Sequence, residues 1–230
     1  MVNKKQIAVI PARGGSRRIK NKNIINFCGK PLIAWTIEAA LESDQFSKII
    51  VSTDDDIIAK EAERYGALVP FIRDKYTDDY SPISDVTIDA LQHIKNEFSD
   101  EYDVVIQMMA NCPLRKAKHI NDAISNFYNK RASSQISCFK YGWMNPWWAA
   151  KLSDGDQPEN LFPEAMTKRS QDLPDLYCPS GAIWIADIKH LLDNQTFYTE
   201  ERTFWEMPWD AAIDIDDSND LRMAEALKSL

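Results

Sequence analysis

The sequence lacks an excess of positive charge, a long apolar run and paired cysteines. Its 230 residues hold 27 Lys and Arg against 35 Asp and Glu, a formal net charge of −8, which argues against general nucleic-acid binding. There is no N-terminal signal pattern, and no apolar run approaches the roughly 18 residues that cross a membrane. Its four cysteines, Cys28, Cys112, Cys138 and Cys178, form no C-x-x-C pair. We therefore expect a soluble cytoplasmic protein with reduced thiols and with no membrane or nucleic-acid partner.

The common nucleotide-binding motifs are also missing, since neither G-x-x-x-x-G-K-[ST] nor G-x-G-x-x-G occurs. Instead, the apolar run 7–10 leads into a loop, residues 11–23, that holds two glycines, a serine, three arginines and two lysines. Glycines let backbone N–H groups approach a ligand closely, and the cations neutralise phosphate charge. In an acidic chain this loop predicts a nucleoside-triphosphate cradle. A solvated basic loop is the alternative.

Apolar runs and helical periods alternate along the chain. Strands are predicted at residues 7–10, 48–54, 68–72, 104–109, 135–139, 181–186 and 212–216. Helices are predicted at residues 31–40, 57–65, 84–98, 117–128, 188–192 and 218–227. This order predicts one α/β domain over residues 1–230, with βαβ units, a mainly parallel sheet and ligands beyond the carboxyl ends of the strands.

The alternation stops between residues 142 and 178. This segment carries Trp143, Trp147 and Trp148 together with four prolines and has no clear period. We expect an excursion from the sheet, and grouped aromatic residues on an irregular segment favour a dimer interface. A ligand wall and a part of the core are the alternatives.

Asp214 and Asp216 flank Ile215 near the carboxyl end. If this segment is a strand, both carboxylates lie on one face, about 7 Å apart, and repel each other unless a cation lies between them. Mg²⁺ prefers such oxygens and completes its shell with water and phosphate. Charging the first turn of the last helix is the alternative role for Asp216. Joined to the basic loop in a single cavity, the pair would equip the protein for phosphoryl or nucleotidyl transfer.

Several segments taken together resemble the acylneuraminate cytidylyltransferases, which are also called CMP-sialic acid synthetases. The matching pieces, in the family's order, are IPARGGS at 10–16 with Lys22 and Asn23, IVSTD at 50–54, Arg73, SP at 81–82 with Asp85, PLR at 113–115, QDLP at 171–174, GAI at 181–183 and DID at 214–216. The resemblance implies a Rossmann-like three-layer α/β/α fold and a homodimer whose excursion covers the partner's sugar site. It also implies transfer of CMP from CTP to the anomeric hydroxyl of a nonulosonic acid, with Mg²⁺ and with release of pyrophosphate.

The same resemblance implies roles for individual residues. Arg13, Lys22 and Asp216 would act in catalysis, and Asp214 and Asp216 would bind the metal. The nucleotide would be bound by Ala12, Arg13, Gly14, Gly15, Ser16, Arg17, Lys22, Asn23, Arg73 and Ser81. The sugar would be bound by Gln107, Met109, Asn111, Arg115, Arg169, Gln171 and Ser180.

The chain departs from the family at the sugar end. Met109 and Asn111 stand where many members have Gln and Thr, Cys178 stands in place of an Arg, and Trp148 in place of a Lys. An Arg can bind a sugar carboxylate with two hydrogen bonds and Cys cannot. The acceptor thus stays open between N-acetylneuraminic acid and a legionaminic or pseudaminic type. The rivals are a CMP-KDO synthetase, a nucleotide-sugar glycosyltransferase and a non-catalytic nucleotide-binding protein.

Overall fold

The computed structural model describes residues 4–98 and 101–230. Its strands are β1 (Gln6–Pro11), β2 (Asn26–Phe27), β3 (Lys30–Pro31), β4 (Lys48–Ser52), β5 (Val104–Gln107), β6 (Ser134–Lys140), β7 (Ala150–Leu152), β8 (Pro158–Asn160), β9 (Tyr177–Asp187) and β10 (Thr203–Glu206). Its helices are α1 (Leu32–Ser43), α2 (Asp56–Arg64), α3 (Ile83–Phe98), α4 (Ala117–Asn129), α5 (Ile188–Asn194) and α6 (Ser218–Lys228).

Six of these strands form one central sheet in the order β10-β6-β9-β5-β1-β4. All neighbouring strands run parallel except β9, which is antiparallel to both β5 and β6. Successive residues of β1 point to opposite faces: Ile10 packs in a core with α1, α2 and α4, whereas Val9 packs in a second core with α3 and α5. The structure therefore confirms the expected three-layer α/β/α fold with a mainly parallel sheet.

Two predicted strands are wrong. Residues 68–72 make only isolated bridges, from Leu68 to Ile50 of β4 and from Ile72 to Thr53 just after β4, because Pro70 has no N–H to donate to a ladder. Residues 212–216 belong to no strand. Their extended backbone still alternates: Ile213 and Ile215 are buried and Asp214 is exposed.

The excursion leaves the sheet between β6 and β9, as predicted. It holds a hairpin of β7 and β8 and three short 3₁₀ turns. Trp147 and Trp148 tie it together, since their indole N–H groups donate to the carbonyl oxygens of Pro174 (2.8 Å) and Ala165 (3.3 Å). Trp143 is 86% exposed. Among the described residues, no helix combines the length and apolar character that crossing a bilayer requires.

Candidate active site

A cleft of about 600 Å³ opens beyond the carboxyl ends of β1 and β5, within the usual size range for a small-molecule site. Of the residues predicted for the site, those that line it are Arg13, Ser16, Arg17, Lys22, Asn23, Arg73, Ser81, Met109, Asn111, Asp214 and Asp216. The basic loop and the two aspartates, which are about 200 residues apart in sequence, therefore share one cavity. This is the convergence that transfer chemistry on one triphosphate requires.

The glycine turn of the basic loop is fixed from two sides. The backbone N–H of Gly14 donates to Asp54 Oδ1 (2.8 Å), and Asn23 Nδ2 donates to the carbonyl oxygen of Arg13 (2.9 Å). A Cβ on Gly14 would lie 2.6 Å from Oδ2 of Asp55, so only glycine allows this approach. Asp55 in turn caps α2 by accepting from the N–H groups of Ile57 and Ile58.

Three of the residues predicted to bind nucleotide do not line the cleft. Ala12 is 2% exposed and donates its N–H to Ser52, which anchors the loop to the end of β4. Gly14 and Gly15 do not line the cleft themselves. They form the turn that sets the course of the backbone between residues that do. The nucleotide-binding role of Ala12 stays a prediction: its methyl group is part of the core, so a contact with the ligand would come from its backbone.

The arginines of the loop are already paired within the protein. Arg13 Nη2 donates to Asp79 Oδ1, and Arg17 Nε lies 2.5 Å from Asp79 Oδ2. Asp79, Asp78 and Tyr76 also line the cleft. No motif selects these three residues, apart from their position between Arg73 and Ser81.

Asp216 is held by two cations. Lys22 Nζ donates to Asp216 Oδ1 (2.8 Å) and to the carbonyl oxygen of Ile215 (2.9 Å), and Arg18 Nη2 lies 2.6 Å from Asp216 Oδ2. Burial alone would raise the pKa of Asp216, but the hydrogen bonds and charges of Lys22 and Arg18 outweigh it and hold that pKa below its usual range. Arg18 was not predicted individually, although it belongs to the basic loop.

Asp214 lies in a different environment. Although it is exposed to the cleft, the protein atoms around its carboxyl group desolvate it, and the negative charge of Asp216 adds to this effect. Together they raise the pKa of Asp214 to about 6. Asn111 Nδ2 donates to Asp214 Oδ1 and lies 3.2 Å from the carbonyl oxygen of Ile215.

The oxygens around Asp214 suit a hard divalent cation. Besides the two carboxylates, the site has a third oxygen, Asn111 Oδ1. This oxygen is buried and has no hydrogen-bond partner in the structure. Within residues 4–98 and 101–230, no group of three or more His, Cys, Asp or Glu could hold a metal. A cation here would therefore complete its shell with water and phosphate, as Mg²⁺ commonly does.

Arg73 lies at the opposite wall of the cleft. It is 4% exposed, and its Nη1 is 3.3 Å from both the carbonyl and the hydroxyl oxygen of Ser52. Burial lowers the pKa of this guanidinium, and the charges of Asp54 and Asp89 oppose that effect. Its Nε is buried without a hydrogen-bond partner. This end of the cleft therefore retains an unused donor.

The predicted sugar-binding residues divide into two groups. Met109 and Asn111 line the cleft, on the segment that follows β5. Gln107 and Ser180 are buried in the sheet, at 0% and 6% exposure, and do not line it. They lie on β5 and β9 rather than beyond the strand ends, and their binding of the sugar stays a prediction.

Arg115, also predicted to bind the sugar, does not line the cleft. It is 2% exposed, and its guanidinium donates to the carbonyl oxygen of Ala182 and to Thr36 Oγ1, both at 2.6 Å. Longer bonds of 3.4 Å reach the carbonyl oxygen of Met109. Burial lowers its pKa to about 10. Arg115 therefore holds the segment that carries Met109 and Asn111 and does not itself face the cleft.

Arg169 and Gln171 lie on the excursion and are exposed outside the cleft. Arg169 forms a two-bond pair with Asp172, with distances of 2.7 and 3.0 Å. Within one chain, neither residue is near the aspartates or the basic loop that line the cleft.

A family model described as cytidylyltransferase matches residues 7–171, so the chain belongs to the cytidylyltransferase family of nucleotidyltransferases. It is 33% identical to the pseudaminic acid cytidylyltransferase of Campylobacter jejuni, over 97% of this chain and 96% of that protein. It is 34% identical, over the same shares of the two chains, to the CMP-N,N'-diacetyllegionaminic acid synthase of Legionella pneumophila. Its fold is similar to a CMP:2-keto-3-deoxy-manno-octonic acid synthetase complexed with CTP, with a TM-score of 0.70, 16% identity and 98% of each chain covered.

Proposed function

We propose that the protein transfers CMP from CTP to the anomeric hydroxyl of a nonulosonic acid and releases pyrophosphate. The observation that carries this proposal is the single cleft shared by Arg13, Lys22, Asp214 and Asp216. The basic loop offers cations for a polyphosphate, and the two aspartates, of which Asp216 contacts that loop, offer oxygens for a metal ion. Phosphoryl-group chemistry depends mainly on this kind of positioning and charge neutralisation.

In this mechanism the basic loop binds the triphosphate. Arg13 and Arg17 neutralise its oxygens, Lys22 stabilises charge at the α-phosphate, and the turn at Gly14 sets their spacing. Ser16 and Asn23 donate hydrogen bonds from the same loop. The unused Nε of Arg73, together with Ser81, gives the far end of the cleft the donors that a pyrimidine base needs.

Asp214 and Asp216 would hold Mg²⁺, with Asn111 Oδ1 beside them. The ion would supply charge neutralisation on the phosphate oxygens and a lower pKa for a bound hydroxyl or water. Asn111 orients Asp214 through its Nδ2 hydrogen bond. Arg115 keeps Asn111 and Met109 at the cleft because its guanidinium binds both the carbonyl oxygen of Met109 and that of Ala182 on β9.

For the acceptor, we propose a nonulosonic acid of the pseudaminic or legionaminic type. Met109 presents an apolar side chain to the cleft where many members of the family have a Gln, and two relatives above 30% identity are named for these two sugars. We also propose a cytoplasmic homodimer in which the excursion, residues 142–178, covers the partner's sugar site. Exposed Trp143 and Met144 support this interface.

The test is to incubate the pure protein with CTP, Mg²⁺ and a panel of acceptors while following pyrophosphate release. The panel holds pseudaminic, legionaminic and N-acetylneuraminic acids and the eight-carbon acid KDO. We expect release with one of the first two, and we expect chelation of Mg²⁺ or the Asp214→Asn change to slow it by about 100-fold or more. If KDO is the only acceptor that supports release, the protein is the rival enzyme. If none of the acceptors supports release, the proposal is contradicted.

A further inference from the structure

We propose that Asp79 competes, within the protein, with polyphosphate for the cations of the basic loop. Its carboxylate binds Arg13 and Arg17, must leave as the triphosphate enters, and returns as pyrophosphate departs. The inference rests on the proposed function, because it assumes that these two arginines bind phosphate.

The pairing uses both oxygens of the carboxylate. Arg13 binds Oδ1 and Arg17 binds Oδ2, and all three residues line the cleft. Asp79 lies 66 positions from Arg13 in sequence, so the pairing is a tertiary contact between two separate loops. Two guanidinium groups around one anion form the arrangement that proteins use for a phosphate group.

The segment that carries Asp79 is shaped by its neighbour. Asp78 Oδ1 accepts the backbone N–H groups of Tyr80 (2.7 Å) and Ser81 (2.8 Å), which forms a tight turn just before α3. These two bonds hold the pKa of Asp78 below its usual range. The turn thus fixes Asp78 to its own backbone and leaves Asp79 to the arginines of the other loop.

Polyphosphate and Asp79 cannot use the same arginines at full strength. Because a triphosphate carries several negative charges, it binds the two arginines more strongly than a single carboxylate does. The displaced carboxylate of Asp79 is then repelled by the phosphate charge and moves away. The free energy of the bonds that Asp79 loses reduces the free energy of nucleotide binding. It equally reduces the free energy of pyrophosphate binding, so Asp79 shortens the time that the leaving group stays bound.

The experiment measures binding of CTP and of pyrophosphate by titration calorimetry, each with Mg²⁺, to the wild type, Asp79→Asn and Asp74→Asn. Asp74 is an exposed acid on the same loop that does not line the cleft, so its variant matches the charge change. We expect Asp79→Asn to bind both ligands about tenfold more tightly. Asp74→Asn should stay within about twofold of the wild type. Equal or weaker binding by Asp79→Asn would overturn the inference.

A second background tests the route of the effect. In Arg17→Ala one of the two partners of Asp79 is absent, so adding Asp79→Asn should gain clearly less than tenfold; an undiminished gain would contradict competition through these arginines. Thermal unfolding checks that each variant folds, and Asp79→Ser replaces Asp79→Asn if that variant does not. Failure of the wild type to bind either ligand would count against the proposed function itself, whereas wild-type binding without a gain would count against Asp79 alone.

Discussion

Charged residues of the cleft are paired across distant parts of the chain. Asp79 pairs with Arg13 and Arg17, and Asp216 pairs with Lys22 and Arg18. A ligand that binds here therefore exchanges ion pairs instead of meeting bare charges. Asp214 differs, because it has an amide partner and a like-charged neighbour and its pKa is raised to about 6.

The raised pKa of Asp214 gives a pH-dependent prediction about stability. Between about pH 4 and pH 6 the native carboxyl binds its proton more tightly than the unfolded chain does, so its contribution to stability is lost as the pH rises through this interval. Asp214→Asn removes that loss. Because cleft solvent screens an exposed carboxylate, we expect a gain of about 1 kcal/mol at pH 7, or roughly 2–4 °C in unfolding temperature.

The measurement is thermal unfolding of both proteins from pH 4 to pH 7 in the absence of metal. The difference between them should be near zero at pH 4 and should grow with pH. Saturating Mg²⁺ should then raise the unfolding temperature of the wild type and leave Asp214→Asn almost unchanged. A variant less stable than the wild type at pH 7 without metal would refute the repulsion described here.

Arg115 gives a second prediction at this scale. Its guanidinium is buried and satisfies oxygens from Ala182, Met109 and Thr36. Arg115→Met removes the guanidinium donors from these buried oxygens, so we expect the free energy of unfolding to fall by about 3 kcal/mol. The exposed Arg222→Met on α6 is the control and should change it by less than about 0.5 kcal/mol. Urea unfolding measures both, and a loss below about 1 kcal/mol for Arg115→Met would contradict the assigned role.

At the scale of elements, the close approach of the glycine turn to α2 gives the next prediction. A Cβ on Gly14 would meet Asp55, whereas one on Gly15 would meet nothing within 4 Å. Gly14→Ala therefore pushes the loop away from the cap of α2, and we expect CTP to bind about tenfold more weakly. Gly15→Ala is the matched control and should bind within about twofold of the wild type. Calorimetric titration compares them, and equal affinities would show that the contact does not position the loop.

The elements that sequence patterns predicted well are those with a long period or a buried run. The strand at residues 212–216 failed as a strand, yet the alternation that places the aspartates on the face opposite Ile215 agrees with the structure, in which Ile215 is buried and Asp214 is exposed. β10 was missed because TFWE is short, ends in a charge and lies at the sheet edge. β9 was predicted too short because Pro179 lies within it, where the pairing with β6 shifts register.

The candidate site was predictable to the extent that its residues follow strand ends. Contacts between segments that only the tertiary fold brings together, such as the pairing of Asp79 with Arg13, were not predictable. Arg115 shows a second limit, because a guanidinium binds a sugar carboxylate and a backbone carbonyl with the same donors. Only its burial distinguishes the two roles.

For the whole molecule, the excursion gives the last prediction. Trp143 and Met144 are 86% and 64% exposed, which is costly for a segment that remains in water. We expect the wild type to sediment as a dimer and Trp143→Ser to shift toward the 26.4 kDa monomer. Ile57→Ser, an exposed apolar residue on α2 at 59%, is the control and should remain dimeric. Sedimentation velocity distinguishes these states, and a monomeric wild type would contradict the interface.

The segment bearing Asp214 and Asp216 has no ladder on either side. Its backbone makes one bond to the neighbouring segment, from Ile215 N–H to the Asn111 carbonyl oxygen. The rest of its support comes from the side chains of Lys22, Arg18 and Asn111 and from Ile213 and Ile215, which pack with α6 and the start of α1 in a small satellite core. Such a corner opens more readily than the sheet. On warming, the protein should therefore stop working before it melts: heat inactivation would begin as this corner frays, while the sheet behind it is still intact.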